Sequence, residues 1–403
     1  MKRHIFLWAA AILGALLVAD GASGQTWTKT SAPAYFWKSM ASSADGSNII
    51  AASMFYGFVF ISTNSGTSWA QTGLPSSGNW VSVACSTNFV KLIAADDGQY
   101  GSGGRIYTSS NSGNSWLSNN VPHTNWNAVV SSADGATLVI GAWGGTNPPL
   151  YTSTDSGQNW RSNNVNIFGN WQAVTTSADG TKLAASSSLN IYTSSNSGTN
   201  WTATRAPLGG WWIALASSSD GVKLAAAENY GYNAVAGRIY TSTNSGANWA
   251  VTTAPATNWT SIASSADGTR LVAAAGGYSG GFVGPIYTSA DSGKTWALCN
   301  APVTNWTAVT CSADGTKMVA ASAYSGIYVA RSLPPLSMQP IPPCLQFAWT
   351  GTLSNVVLQS NSNLNTTNWV TLTNVPSFNP ATFVNSVILS PSNQSSFYRL
   401  ACP

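Results

Sequence analysis

An all-β fold, a seven-bladed β-propeller of four-stranded blades, is predicted by three features of the 403-residue chain. Six near-identical octets, Ser-x-Asn/Asp-Ser-Gly-x-x-Trp, begin at Ser62, Ser109, Ser153, Ser194, Ser242 and Ser289. Their closing residues, Trp69, Trp116, Trp160, Trp201, Trp249 and Trp296, are separated by 47, 44, 41, 48 and 47 residues, a period that marks repeated supersecondary units. An aliphatic–aromatic dipeptide counts the repeats independently and gives seven: Val59-Phe60, Ile106-Tyr107, Leu150-Tyr151, Ile191-Tyr192, Ile239-Tyr240, Ile286-Tyr287 and Ile327-Tyr328. Finally, each repeat resolves into four short apolar-alternating runs bounded by Gly, Asn, Asp and Ser, the sequence image of a blade.

Within a repeat the first run opens on an Asn-Trp pair, as in Asn125-Trp126-Asn127-Ala128-Val129-Val130, and ends at a Ser-Ala-Asp-Gly turn, Ser132 to Gly135. The second run (Leu138-Val139-Ile140) leads through a Gly-rich loop to the third (Leu150 to Ser153), which enters the octet; the octet's Trp begins the fourth. The seventh repeat, Ile327 to Arg331, meets prolines without an octet or a fourth run. Because Trp27-Thr28-Lys29-Thr30-Ser31-Ala32-Pro33 matches Trp249 to Pro255, the N-terminal strand is expected to complete blade 7 beside residues 327–331. That closure removes two open sheet edges.

Residues 1–24 read as a signal peptide: Lys2 and Arg3, an apolar stretch to Val18, then Ala22-Ser23-Gly24 with cleavage before Gln25. The propeller is assigned to 25–332, a stiff Pro-rich linker to 333–344 and a small β-sandwich of short alternating runs to 345–403. No other stretch approaches the roughly 20 apolar residues of a membrane span, so the expectation is a monomer exported to the extracellular space, the cell surface or the periplasm. Charged residues are only 7% and the net charge is +4, about +3 without Lys2, Arg3 and Asp20. So weak and dispersed a charge excludes nucleic acid as a partner.

The octet resembles the Asp-box, or BNR, repeat of sialidases and many other secreted propellers, over roughly residues 26–331. The resemblance implies the propeller fold. It names no activity, because such boxes occur in glycosidases, sorting receptors, photosystem assembly-factor-like proteins and propellers without known activity. The C-terminal wording, Val356-Val357-Leu358-Gln359-Ser360-Asn361 and Phe397-Tyr398-Arg399-Leu400, looks like a module of secreted proteins from environmental bacteria. That implies surface or matrix association, or a stabilising appendage.

The third octet position is Asn64, Asn111, Asp155, Asn196, Asn244 and Asp291. An Asn keeps a turn but would ruin a catalytic acid, so these six are read as structural, each capping its own backbone two residues on, with the Gly supplying positive φ. Asp45, Asp134, Asp179, Asp220, Asp267 and Asp314 each precede Gly in the repeated turn and are read likewise. Three acids remain in the mature chain, Asp96, Asp97 and Glu228, with one histidine, His123; these four are the catalytic candidates. No cofactor or metal is expected, since no Cys or Cys/His spacing suits zinc. Cys344 and Cys402 are paired as a disulfide; Cys85, Cys299 and Cys311 are read as small packed residues, with a Cys299–Cys311 bridge as the alternative.

Turns between strands one and two and between three and four share one face; the variable loops and inter-blade links share the other, where function is usually built. The spare acids and both arginines that precede a third strand fall in blades 2 and 5. The candidate binding residues are Tyr100, Arg105, Trp143, Trp211, Tyr230, Tyr232, Arg238, Tyr278 and Tyr324, with Phe55, Tyr56 and Phe282 beside them. Aromatic rings there suit the apolar faces of sugars. Trp37, Trp80, Trp126, Trp171, Trp212, Trp259 and Trp306 recur in every blade and are expected to pack between sheets.

A sialidase would need an arginine triad, and the family's Phe/Tyr-Arg-Ile-Pro segment is absent. A glycoside hydrolase would need Asp96 or Asp97 to approach Glu228 within roughly 5–9.5 Å. A lyase would need His123 or a loop Tyr as base. The expectation is therefore a non-catalytic secreted propeller that binds an extracellular glycan or protein through its variable face, with a glycan-active enzyme as the alternative.

Overall fold

The computed structural model describes residues 16–17, 26–55, 57–76, 78–98, 103–144, 147–163, 165, 170–207, 210–231, 235–277, 282–331, 337–341, 344–350, 357–362, 368, 370–374, 376–379, 384–389 and 397–401. Contacts divide the chain into Gln25–Ser332 and a second unit of Met1–Gly24 with Leu333–Pro403. The described residues contain strands and turns and no helix.

Seven four-stranded antiparallel sheets, with a two-stranded ladder of Tyr230–Gly231 and Val235–Ala236, make up the first unit. Blade 1 runs Trp37–Ser42, Ile49–Ser53, Val59–Ser62 and Ala70–Gln71; blades 2 to 7 begin at Trp80, Trp126, Trp171, Trp212, Trp259 and Trp306. Blade 7 takes its outer strand from the N-terminus, as the sequence predicts: Thr26–Lys29 pairs with Gly326–Arg331, Thr26 opposite Arg331 and Lys29 opposite Tyr328. First strands of neighbouring blades touch all the way round, so these Trp-headed strands are innermost.

The hydrophobic core lies between blades. Alternate strand residues face opposite sides of a sheet, so in each third strand the aliphatic residue faces the next blade and the aromatic one the preceding blade. Trp126 accordingly clusters with Ile93 and Ile106 of blade 2 and meets Tyr151 of its own blade edge-on at 5.9 Å. Trp37 closes the ring against Ile327 of blade 7. All seven indoles are at most 1% exposed. Each withdraws on the order of 200 Å² from water, roughly 5 kcal/mol of gross transfer free energy. The second strands, covered on both sides, are buried end to end in blades 1, 3, 4, 5 and 6 and rich in Ala, which lets the blades approach.

A belt of backbone bonds closes the turn face. Ala44 N–H donates to Thr87 O, Thr87 to Ala133, Ala133 to Ala178, Ala178 to Ser219, Ser219 to Ala266, Ala266 to Ala313 and Ala313 back to Ala44, at 2.7–2.9 Å. Cationic stems brace the same turns: Lys182 Nζ donates to Asp220 O at 2.8 Å and Lys223 Nζ to Asp267 O at 2.9 Å. Gly221, at φ +66°, sits under that Lys182 stem, where a Cβ would fall within 2.8 Å of it. Blade 2 departs from the pattern. Phe89 takes the glycine's place at φ 62° and is 2% exposed, filling space beside blade 1, whose equivalent of Lys182 is the shorter Asn48.

The octet is a turn that caps a different backbone group from the one expected. Asn64 Oδ1 accepts from Ser68 N–H at 2.8 Å, four residues on rather than two, while Ser62 Oγ accepts from Gly66 N–H and donates to Asn64 Oδ1. The positive φ also falls on two residues, not one: Ser65 at 57° precedes Gly66 at 84°, and the pair recurs in all six octets. Ser65 N–H reaches Ser47 O of the adjoining turn at 2.7 Å, which fixes octets and turns on a common face.

In the second unit, Ser337–Ile341, Cys344–Thr350, Val384–Leu389 and Ser377–Asn379 form one sheet, and Leu16–Leu17, Phe397–Ala401, Val357–Asn361 and Val370–Thr371 another. Phe347, Trp349, Leu358, Val387 and Tyr398 from both sheets share a core. The segment expected as a linker is, over 337–341, an edge strand that pairs with 344–348; Pro340 is tolerated there because an edge strand need not donate outward. Cys344 is a free thiol and Cys402 lies outside the described residues. Cys85, Cys299 and Cys311 are also free, so no Cys299–Cys311 bridge forms; burial pushes the thiols of Cys85 and Cys311 up to about 12 and that of Cys299 to about 11.

Candidate functional site

Opposite the octets, the loops between second and third strands meet the links between blades. Bridges Gly57↔Gly78, Gly104↔Thr124, Gly237↔Thr257 and Gly284↔Thr304 tie loop to link, placing the variable segments on one face.

The register explains where the spare acids stand. In six of the seven blades the last residue of the second strand pairs with the Trp that heads the first: Ser53, Asp96, Ala142, Ser187, Glu228 and Ser322 oppose Trp37, Trp80, Trp126, Trp171, Trp212 and Trp306, whereas in blade 6 Trp259 opposes Ala275, one residue before the strand ends at Gly276. A polar side chain at this place caps the loop that follows. Ser53 Oγ accepts from Phe58 N–H at 2.8 Å and Ser187 Oγ from Asn190 N–H at 3.1 Å. Asp96 Oδ1 does the same work, accepting from Asn79 N–H at 2.8 Å and Gly98 N–H at 3.1 Å. Glu228 Oε2 accepts from Arg238 N–H at 3.3 Å. Two of the three acids thus do in blades 2 and 5 what serine does in blades 1 and 4.

Asp97 differs. Its Oδ1 accepts from Asn79 Nδ2 at 2.8 Å; burial, with the neighbouring Asp96 carboxylate, pushes its carboxyl up to about 6 against the pull of the Asn79 amide and Lys38. Burial also raises Glu228, opposed by the Arg238 N–H and guanidinium. The charges acting on Asp97 come from blades 1 and 2, those on Glu228 from blade 5 alone. The structure therefore joins Asp96 to Asp97 and Glu228 to Arg238, and does not join the two groups. His123 is exposed beside Gly103, and Arg105 and Arg238 are exposed ahead of their third strands.

Exposed rings populate this face: Phe55 is 61%, Trp143 50%, Trp211 47% and Tyr324 66% exposed, and Phe282 is exposed as well. Tyr230 lies on the short strand Tyr230–Gly231. Tyr56, Tyr100, Tyr232 and Tyr278 fall outside the described residues. The seven recurring Trp are buried packing residues and none is open to a ligand. On the opposite face a polar cleft of about 310 Å³ opens between blades 4 and 5, lined by Lys182, Asn196, Asn200, Thr202, Ser217 and Leu224 among others; its Lys182 ammonium is committed to Asp220 O. Among the described residues no cluster of His, Cys, Asp and Glu could hold a metal, and no helix is long and apolar enough to cross a membrane.

Sequence reasoning missed Asn79 and Phe36. Asn79 joins the loop of blade 1 to Asp97, through Phe55 N–H to Asn79 Oδ1 at 2.8 Å and Asn79 Nδ2 to Asp97. Phe36 is 7% exposed beneath Phe55 and Tyr324, its ring 5.1 and 5.2 Å from theirs and nearly perpendicular to both. The available signal was that Phe36 and Trp211 stand where five other blades carry the Asn of the Asn-Trp pair.

No protein-family model and no curated protein matches the chain. Solved structures do. A GH74 enzyme of Niastella koreensis is 14% identical with a TM-score of 0.61 over 81% of this chain, which spans 59% of that enzyme's chain. YCF48 of Cyanidioschyzon merolae is 13% identical with a TM-score of 0.56, covering 76% of this chain and 98% of its own. A hydrazine synthase chain of Kuenenia stuttgartiensis is 15% identical with a TM-score of 0.59, covering 76% of this chain and 97% of its own. At such identity the likeness shows the fold.

Proposed function

We propose that the protein is a non-catalytic, exported propeller that holds an extracellular glycan or protein on its variable face. The observation that carries this reading is the division of labour on that face: Asp96 and Glu228 are engaged as backbone caps in separate blades, while large aromatic rings stand exposed around them. A binding surface needs displayed side chains on a rigid frame, and a catalyst needs convergent ones. The leader-like residues 1–24 and the resemblance of the octets to Asp-box repeats support export. YCF48 bound to a D1 peptide, 15% identical with a TM-score of 0.55, is a propeller of this fold caught with a peptide, which supports a protein ligand as one of the two classes.

One observation favours the enzyme. Asp97, with its carboxyl at about 6, is tuned as a general acid would be. Its nearest acid is Asp96, which is already committed to two backbone N–H groups. A glycan-array screen of the purified chain, run beside product-release assays on neutral and acidic polysaccharides, tests the proposal: binding without product is expected, and turnover would overturn it.

A further inference from the structure

Phe55 stands at φ 60°, in the left-handed region, where a bulky side chain costs of the order of 1–2 kcal/mol. The other phenylalanine in that conformation, Phe89, is 2% exposed, so packing offsets its strain. Phe55 is 61% exposed, its ring resting edge-on against Phe36 with most of its surface in solvent, and a glycine would meet the same turn without strain. The conformation is instead enforced from the next blade, through the hydrogen bond from Phe55 N–H to Asn79 Oδ1. A strained backbone that presents an apolar ring to solvent is a place to look for a ligand.

The surroundings say which ligand. Phe36 links Phe55 of blade 1 to Tyr324 of blade 7 in one aromatic row across the seam where the ring closes, and Tyr324 is 66% exposed. Asp97, half-buried and tethered through Oδ1 to Asn79, places a carboxyl on the blade 2 side. On the blade 7 side Ser325 and Thr304 pair their hydroxyls at 3.0 Å. Ring faces flanked by a carboxylate and hydroxyls match a pyranose, whose C–H face seeks the negative face of an aromatic ring and whose rim carries hydroxyl donors. A peptide adding as a strand would need free main-chain groups, and at this seam Gly57 is bridged to Gly78 and Phe55 N–H is given to Asn79 Oδ1.

We infer that the seam of blades 7 and 1 is a saccharide subsite, with Phe55 and Tyr324 as stacking platforms for sugar rings of one glycan chain and Asp97 as acceptor for a sugar hydroxyl. This rests on the variable-face reading above and narrows it to one ligand class and one sector. The test is affinity electrophoresis of the full chain through gels containing hydroxyethyl cellulose, mixed-linkage β-glucan, xylan or galactomannan. Phe55→Gly and Tyr324→Ala are compared with Trp143→Ala and Trp211→Ala, and thermal melts are run on all four. Retardation of the wild type by at least one polysaccharide is expected. The seam variants should weaken it by about tenfold or more, with Phe55→Gly melting no lower than wild type because the strain is relieved, while the two Trp variants bind as before. Loss confined to the Trp variants overturns the seam site and leaves the face reading standing. Retardation by none of the four polysaccharides overturns the saccharide inference, and a protein ligand held by the same face would then still satisfy the broader reading. Binding unaffected by all four substitutions overturns both.

Discussion

Asp97 is the residue whose chemistry the sequence flagged and whose setting only the fold supplies. Being spare among acids of the repeat drew attention to it; its raised carboxyl comes from burial beside Asp96, Asn79 and Lys38, neighbours brought together by blade packing that spacing does not reveal. A carboxyl raised to about 6 in the folded chain and at about 3.9 unfolded imposes no penalty below about pH 4, where both states are protonated. The penalty grows as pH rises towards 6 and is complete above it. Asp97→Asn, which keeps an acceptor for Asn79, should therefore raise the melting temperature at about pH 7.5 and leave it unchanged at about pH 3.5. Calorimetry at the two pH values checks the sign. A variant that lowers stability at the higher pH would show that the ionised carboxylate is held by favourable partners.

At the scale of the element, the octet was legible as a turn but not in its wiring. Local rules place the cap of an Asx turn two residues on; the chain instead turns through two left-handed residues and brings the N–H four residues on to the carboxamide. The residue at that fourth place matches the Asn or Asp in four octets, while Asn196 and Asn244 face Asn200 and Asn248 as Asp155 faces Asn159. Asn64 and Asn111 donate through Nδ2 to Ser68 and Ser115 Oγ, whereas Asp155 and Asp291 accept from Asn159 Nδ2 and Thr295 Oγ1. Asn196 is followed by Asn200, a donor, so Asn196→Asp should gain that bond and stay within about 0.5 kcal/mol of wild type or exceed it. Asn196→Leu, which strands the Asn200 N–H and the Ser194 hydroxyl, should cost roughly 1–3 kcal/mol. Urea unfolding of both variants separates a backbone cap from a residue kept for its charge.

For the whole molecule, period, strand count and ring closure could be read directly, because a propeller writes each blade as a separate copy and the missing seventh octet left one gap for the N-terminal strand to fill. The seven-membered backbone belt could not be read, since Ala44, Thr87, Ala133, Ala178, Ser219, Ala266 and Ala313 share no side chain that signals it. Because every blade both donates and accepts in the belt, those seven amides should exchange with deuterium as one slow class that opens only with global unfolding; a fast subset would mark a seam where the ring opens by itself. Six repeated turns and two octets absorbed eight of the twelve acids, and what remained beyond Asp20 pointed to blades 2 and 5, while the exposed aromatic row lies where blade 7 meets blade 1. Loop residues such as Phe55 carry no periodicity, so their conformation emerges only from the packed neighbours. The central claim is that this face binds and does not catalyse. It is tested most directly by carrying the chain and its Asp97→Asn/Glu228→Gln double variant through one experiment that records polysaccharide binding and product release together. The account predicts no product from either protein and binding that the double variant weakens through its lost Asp97 carboxylate without abolishing it; product from the wild type that disappears in the double variant would contradict it.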